Sequence, residues 1–379
     1  MLTTRTRDSC GSSGCEIELL TSERLDAPDD PVALYELSLQ QGWGDGLPVL
    51  PPTEARVRAL IGATPWLPDD VVCTLPPRNG TATVERVAVN AAVAGCERDG
   101  FPLVIAALEA VTVPDFNLFA LTTTTSSVFP MIIVNGPTRE RLGIDCGPGC
   151  MGGAAGRGST TIGRALALCL RNIGGQRVGE TSRSVFGQPA RVTGLCFGEL
   201  EEESPWPSLA VRRGFSAGDE VVTVHGGKGT FPIADLNTDD PRELLALIAK
   251  TIAYPMGNKF LEPTAANGQI VVTINPVWAA RLARAFPDVS SAQEHMLEHA
   301  WQPVDAWPAR NQAILEEKGR VDARGRVHVN ERPDQFELVV CGGHGGLHAV
   351  CLPSWGESDM QSVAAVRAGD VSVQVTPAR

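Results

Sequence analysis

The chain has 379 residues, with 44 acidic and 32 basic side chains and a net charge of −12, enough for one large domain or two of medium size. That acidic balance excludes the clustered Lys and Arg that nucleic-acid phosphates need, and it argues against docking on an anionic membrane. The richest apolar stretch, residues 101–120, is broken by Glu109, Pro114, Asp115 and Asn117, short of the ~18–20 residues of a membrane helix.

The N-terminal residues 1–27 read as a tail carrying Cys10 and Cys15, with no apolar signal-peptide core. The expected compartment is therefore the cytoplasm. Ten cysteines in that reducing pool read as thiols, metal ligands or core residues before they read as disulfides. Asp30 and Pro31 suit the N-cap and first residue of a helix over 32–39. After a rigid Gly/Pro-rich loop at 43–53, Thr53 caps a helix to about Ile61. Val and Ala runs predict a buried helix over 85–95 ending at Gly95, and a second over 102–111. Residues 118–123 and 131–134 read as buried strands.

Residues 146–175 combine a Gly-rich loop with an amphipathic helix that stops at Gly174 and Gly175, with Ser159 or Thr160 as N-cap. Residues 191–197 and 220–224 are strand-like. A boundary near 228–240 separates an α/β domain, 28–230, from a C-terminal α+β domain, 231–379. The latter holds a helix over 242–253, a strand over 269–274, helices over 277–285 and 291–301, and strands over 336–341 and 347–352. The expected fold is mixed α/β (α+β) and two-lobed, without internal repeats.

Five constellations carry chemistry. The exposed N–H groups at the start of the 151–164 loop–helix form an anion site, with Ser159, Thr160 and Arg164 as substrate-binding residues. The glycine spacing fits neither a Walker motif nor a dinucleotide fingerprint, and a tight turn with close helix packing explains it equally. Cys146 and Cys150 stand at the mouth of that loop, where a helix N-terminus lowers a thiol pKa and makes a nucleophile. They are the first catalytic candidates, against a pair of merely small residues. Cys341, His344 and Cys351, in the string CGGHGGLHAVC, suggest a soft-metal site if the two flanking strands form a hairpin with His344 at its tip. A metal-free glycine loop is the competing reading, and His344 is also a catalytic candidate. His295, Glu298 and His299 match a metalloprotease string. At about 100° per residue the histidines turn away from the apolar stripe, so a solvent-facing pair is expected and the protease reading is rejected. The carboxylates Glu199 and Glu201–Glu203 can raise one another's pKa, although such a run is more commonly a solvated loop.

Several segments in order then resemble one family: GWGDGLPVLPPT (42–53), TATVERVAVNAAVAGC (81–96), VNGPTRERLGI (134–144), GSTTIGRALAL (158–168), NIGG (172–175) and SPWPSL (204–209). They resemble a bacterial family found alone or fused to a UGSC selenoprotein-type domain, over roughly residues 35–225. The resemblance implies a thiol, selenol or redox context without a defined reaction. The Cys-Gly-Ser-Cys-Thr motif of the fused domain is missing, and Cys10-Gly-Ser-Ser-Gly-Cys15 stands in the tail.

The expected function is that of an enzyme acting on a small anionic substrate by thiol- or thiolate-metal-dependent chemistry, a lyase or redox step at a carbon–heteroatom bond. The metal would be zinc, copper or another soft divalent ion. The alternative is a protein that binds and delivers a soft metal or metalloid. Neither nucleic acid nor membrane is an expected partner, and self-association is left open.

Overall fold

A computed structural model describes residues 20–152, 156–257, 268–356 and 358–369. Most of the 1–27 tail, with Cys10 and Cys15, lies outside the described residues. Helix α1 (Pro31–Gln40) starts as its sequence requires: the Asp30 carboxylate accepts the Ala33 N–H at 2.7 Å and Pro31 is the first helical residue. Thr53 caps α2 (Glu54–Ile61). An antiparallel ribbon, β1 (Val71–Leu75) and β2 (Gly80–Thr83), leads into α3 (Val84–Ala94), which ends on Gly95 at φ +85°. Helix α4 (Phe101–Val111) is almost wholly buried.

Residues 118–123 are not the expected strand but a short helix, α5 (Leu118–Thr123). Thr122 and Thr123 donate their hydroxyls at 2.9 Å to the carbonyls of Leu118 and Phe119 one turn back, a bond that lets a β-branched residue sit in a helix. There follow β3 (Phe129–Asn135), α6 (Thr138–Arg141), α7 (Arg157–Asn172), α8 (Ala190–Thr193), β4 (Leu195–Gly198), α9 (Leu209–Arg212) and β5 (Val221–Gly227). The second half comprises β6 (Phe231–Ala234), α10 (Pro241–Gly257), β7 (Ile270–Ile274), α11 (Pro276–Leu282), α12 (Val289–His299) and β8 (Trp301–Pro303). It continues with α13 (Ala309–Glu317), β9 (Arg326–His328), β10 (Phe336–Val340), β11 (His348–Leu352) and β12 (Gln361–Ala364).

Two four-stranded sheets result, ordered β12-β5-β3-β4 and β6-β11-β7-β10. In each, one pair is parallel (β3 with β4, β7 with β10) and the other pairs are antiparallel. The second half thus repeats the strand plan of the first. The fourth strand of each plan crosses over: β6, which follows β5, edges the second sheet, and β12, which follows β11, edges the first.

Alternation along the strands builds three layers of apolar packing. Ile132, Val134, Val222 and Val224 face α3, α4 and α7, and Ile270, Val272, Leu338 and Val340 face α10, α11 and α12. The opposite faces meet each other through Met131, Ile133, Phe197, Val271, Val339 and Leu352. The mixed α+β class holds, and the inner faces of the two sheets share one core. Among the described residues no single helix is long and apolar enough to cross a membrane.

One carboxyl in the first half is shifted by burial far enough to matter near neutrality. Burial pushes the Glu109 carboxyl on α4 up to about 7. A carboxyl whose folded value is raised contributes stability that is full at low pH and lost as pH rises through that value. Glu109→Gln is therefore expected to raise the melting temperature at about pH 8 and to change it far less at about pH 4, below the ordinary carboxyl value. Thermal melts at both pH values check this, and an equal shift at both would refute it.

Candidate functional site

The carboxyl ends of parallel strands leave backbone groups unpaired and are where loops of α/β sheets converge on ligands. Here such ends from both sheets come together. Leu200, just past β4, donates its N–H to the Val340 carbonyl at the end of β10 at 2.7 Å. Gly198 N–H bonds the Asp145 carbonyl at 2.8 Å, and Gly342 N–H bonds the Cys146 carbonyl at 2.7 Å. Gly343 lies against Pro148 so closely that a Cβ would stand 3.0 Å from its ring. The loops after β3, β4 and β10 are thereby stitched into one surface at the edge of the shared core.

Three cysteines meet there. Cys150 sits on a turn closed by its own N–H to the Gly147 carbonyl at 3.1 Å, with Gly149 at φ +76°. A hydrogen bond from the Cys341 thiol holds the Cys150 thiol below its ordinary value, helped by the N–H groups of Cys150 and Met151 and opposed by burial. The donor pays in the opposite direction: Cys341 is held well above the ordinary value by that same bond and by burial, although the Thr273 hydroxyl on β7 partly relieves it. Of the two, Cys150 is thus the thiol favoured to lose its proton and Cys341 the one favoured to keep it. Both are free thiols. Burial raises the neighbouring Cys146, while the Arg139 guanidinium beside it pulls the other way.

Two charged groups complete the site. Arg139 is buried, pairs with Glu201 at 3.1 Å and Glu202 at 2.7 Å, and donates its Nε to the Gly136 carbonyl at 3.0 Å. Glu199 is buried next to the end of β4, where one carboxylate oxygen accepts Asn135 Nδ2 and the Leu209 N–H, each at 2.7 Å. Burial pushes its carboxyl up to about 7, so it exchanges a proton near neutrality. The Oδ1 of Asn135 is buried with no hydrogen-bond partner, a polar atom left open beside this acid.

Of the residues expected from the sequence, Cys146, Cys150 and Cys341 converge. His344 lies at the exposed rim, its Nε2 2.7 Å from the Glu203 carboxylate, and is not among the groups acting on the thiols. Cys351 is elsewhere: β7 lies between β10 and β11, so the expected hairpin does not form. Two strand spacings of ~4.8 Å intervene. Cys351 also faces the helices, whereas Cys341 faces the core between the sheets. Cys341, His344 and Cys351 therefore do not assemble a metal site. Among the described residues, three donors close enough for one ion occur only at His295, Glu298 and His299.

The expected anion clamp is also taken apart. Arg164 forms a bidentate pair with Asp45, Nε and Nη2 each 2.8 Å from a carboxylate oxygen, and donates to the Pro48 and Leu47 carbonyls at 2.9 and 3.2 Å. Its guanidinium braces the 43–53 loop and is spent. Helix α7 begins at Arg157 after Gly156, so Ser159 and Thr160 lie inside its first turn and cap nothing. The Ser159 hydroxyl accepts the Asp145 N–H at 2.9 Å, and Thr160 is exposed. Residues 153–155 of the glycine loop lie outside the described residues.

Arg139 and Thr273 were missed from sequence, and Glu199 was weighed only as one member of an acidic run more commonly solvated. A signal existed for Glu199: its parity with Leu195 and Phe197, which face the shared core, turns it inward, away from the solvated acidic run that follows. Compared with family models, curated proteins and solved structures, the chain matches none.

Proposed function

We propose that the protein is a thiol-dependent enzyme in which Cys150 is the nucleophile, Cys341 its partner thiol and Glu199 the proton donor, acting reductively on a carbon–heteroatom bond of a small substrate. The observation that carries this is the Cys150–Cys341 pair, buried together at the edge of the shared core, where their contact lowers Cys150 and raises Cys341. The Cys150 thiolate attacks the heteroatom; the S–heteroatom bond forms, the carbon–heteroatom bond breaks, and the carbon takes its proton from Glu199. Cys341 then attacks Cys150 Sγ, forming the disulfide and releasing the heteroatom group with its electron pair and the Cys341 proton. The substrate gains two electrons, the two thiols lose two, and an external thiol reductant restores them. The family resemblance, with its thiol and redox context, supports the same reading.

Alkylation of Cys150 as a function of pH tests it. The midpoint should fall below the ordinary thiol value of ~8.5 and rise in Cys341→Ala, which removes the donor. Mild oxidation should link Cys150 to Cys341 on peptide mapping. A midpoint at or above the ordinary value, unmoved by Cys341→Ala, would defeat the proposal. Two facing thiols also suit a two-coordinate soft ion such as Cu(I), which supports the second reading, soft-ion delivery. Stoichiometric copper in purified protein, lost on substituting Cys150 or Cys341, would select that reading instead.

A further inference from the structure

Helix α12 packs Ala292 and Met296 into the core of the second half. On another face, His295, Glu298 and His299 stand three and four positions apart and so share one side of the helix. That side is not bare solvent, as the sequence suggested. It borders a groove of about 520 Å³ whose other wall includes Arg242, Glu243, Ala246, Leu247 and Lys250. Both histidines are half-buried, their rings 4.3 Å apart, with the His295 ring 5.1 Å from that of Phe286.

Backbone carbonyls set the tautomers. His295 Nε2 lies 2.9 Å from the Arg242 carbonyl, and His299 Nδ1 lies 2.8 Å from the His295 carbonyl. A carbonyl only accepts, so each of these nitrogens carries the proton. His295 Nδ1 and His299 Nε2 are left as lone-pair donors. An imidazole anchored through its N–H to a carbonyl, with the other nitrogen free, is the usual arrangement of a metal-ligating histidine. One donor atom from each of the three residues lies within 4.8 Å of the others. Tetrahedral donors around zinc stand ~3.3 Å apart at bond lengths of ~2.0–2.1 Å, a difference that small side-chain rotations close. The cations on the far wall do not forbid an ion. The Arg242 guanidinium is drawn over the Phe286 ring, 5.1 Å from its centroid, and Glu243 lines the groove with Lys250.

We propose that His295, Glu298 and His299 bind a divalent transition-metal ion of the zinc type, leaving its remaining positions open to the groove. The site is independent of the thiol pair and shares no residue with it.

The test titrates Zn²⁺ by calorimetry into chelator-stripped full-length protein carrying Cys10→Ser, Cys15→Ser, Cys146→Ser, Cys150→Ser and Cys341→Ser, which removes the tail thiols and the thiol cluster as competing sites. One equivalent is expected to bind. Glu298→Gln should weaken it by about 10-fold or more, since even outer-shell losses cost 10–100-fold. His299→Gln, which leaves the His295 ring on Phe286, should abolish it. Co²⁺ should give visible ligand-field bands that vanish in the same variants, with circular dichroism confirming that each remains folded. Absence of the one-equivalent event, or its survival in both His299→Gln and Glu298→Gln, would overturn the proposal.

Discussion

Arg164→Ala is expected to destabilise the protein by about 3–5 kcal/mol, the cost of leaving one partner of a buried ion pair uncompensated. The side chain of Asp45 is 5% exposed and that of Arg164 10%, so water cannot replace the lost guanidinium. The damage spreads beyond one carboxylate. The Pro48 and Leu47 carbonyls lose their donor, and the 43–53 loop keeps only its ties to the end of α7, from Arg171 to the Gly44 carbonyl and from Asn172 to the Trp43 carbonyl. Asp45→Asn should cost less, because an amide oxygen still accepts one of the two guanidinium bonds. Replacing both residues by apolar ones of similar volume should recover part of the loss, since removing a buried pair entire is commonly near neutral. Denaturant midpoints at constant slope measure all three. An Arg164→Ala protein of unchanged stability would show that the brace is unimportant.

Gly194→Ala is expected to cost about 4 kcal/mol from two additive causes, backbone strain and overpacking. Gly194 has φ +68° and ψ 173°, a region open essentially to glycine alone. An added Cβ would also stand 2.2 Å from the Gly163 carbonyl carbon, where α7 crosses the start of β4, and backbone cannot swing aside as a side chain can. The reciprocal change is the control. In Gly163→Ala the new Cβ meets Gly194 at 3.2 Å in ordinary helical conformation, and the expected loss is only about 1 kcal/mol. Thermal melts of the two variants separate the causes. Equal losses would show that crowding at the crossing, and not the Gly194 backbone conformation, dominates.

The beginnings and ends of the early helices were legible in the chain because their physics is local. Asp30 reaches an N–H three residues on, Thr53 does the same, and Gly95 ends α3 by adopting a left-handed conformation. The strand cores at 131–134, 270–274 and 336–340 were likewise visible as short runs of β-branched and large apolar residues. Ser159 misled because it sits beside glycines, as an N-cap would, yet α7 begins two residues earlier. The 118–123 strand misled because its threonines satisfy themselves by bonds back to the preceding turn.

Cysteine content was determined by the sequence itself, as were the mixed α+β class and most helix positions. Which thiols meet was decided only by the tertiary structure. Strand neighbours are chosen by backbone hydrogen bonds that carry no residue code, and by faces that must be buried together. Nothing local announces that β7 enters between β10 and β11, or that β6 and β12 exchange sheets. Those choices separate Cys351 from Cys341 and bring Cys341 across the shared core to Cys150. They turn Glu199 inward beside the pair, and they commit Arg164 to Asp45. A carboxyl beside thiols, or a guanidinium beside a carboxylate, acquires its chemistry from neighbours brought from distant parts of the chain. That is why the residue types could be read in advance while their partners could not.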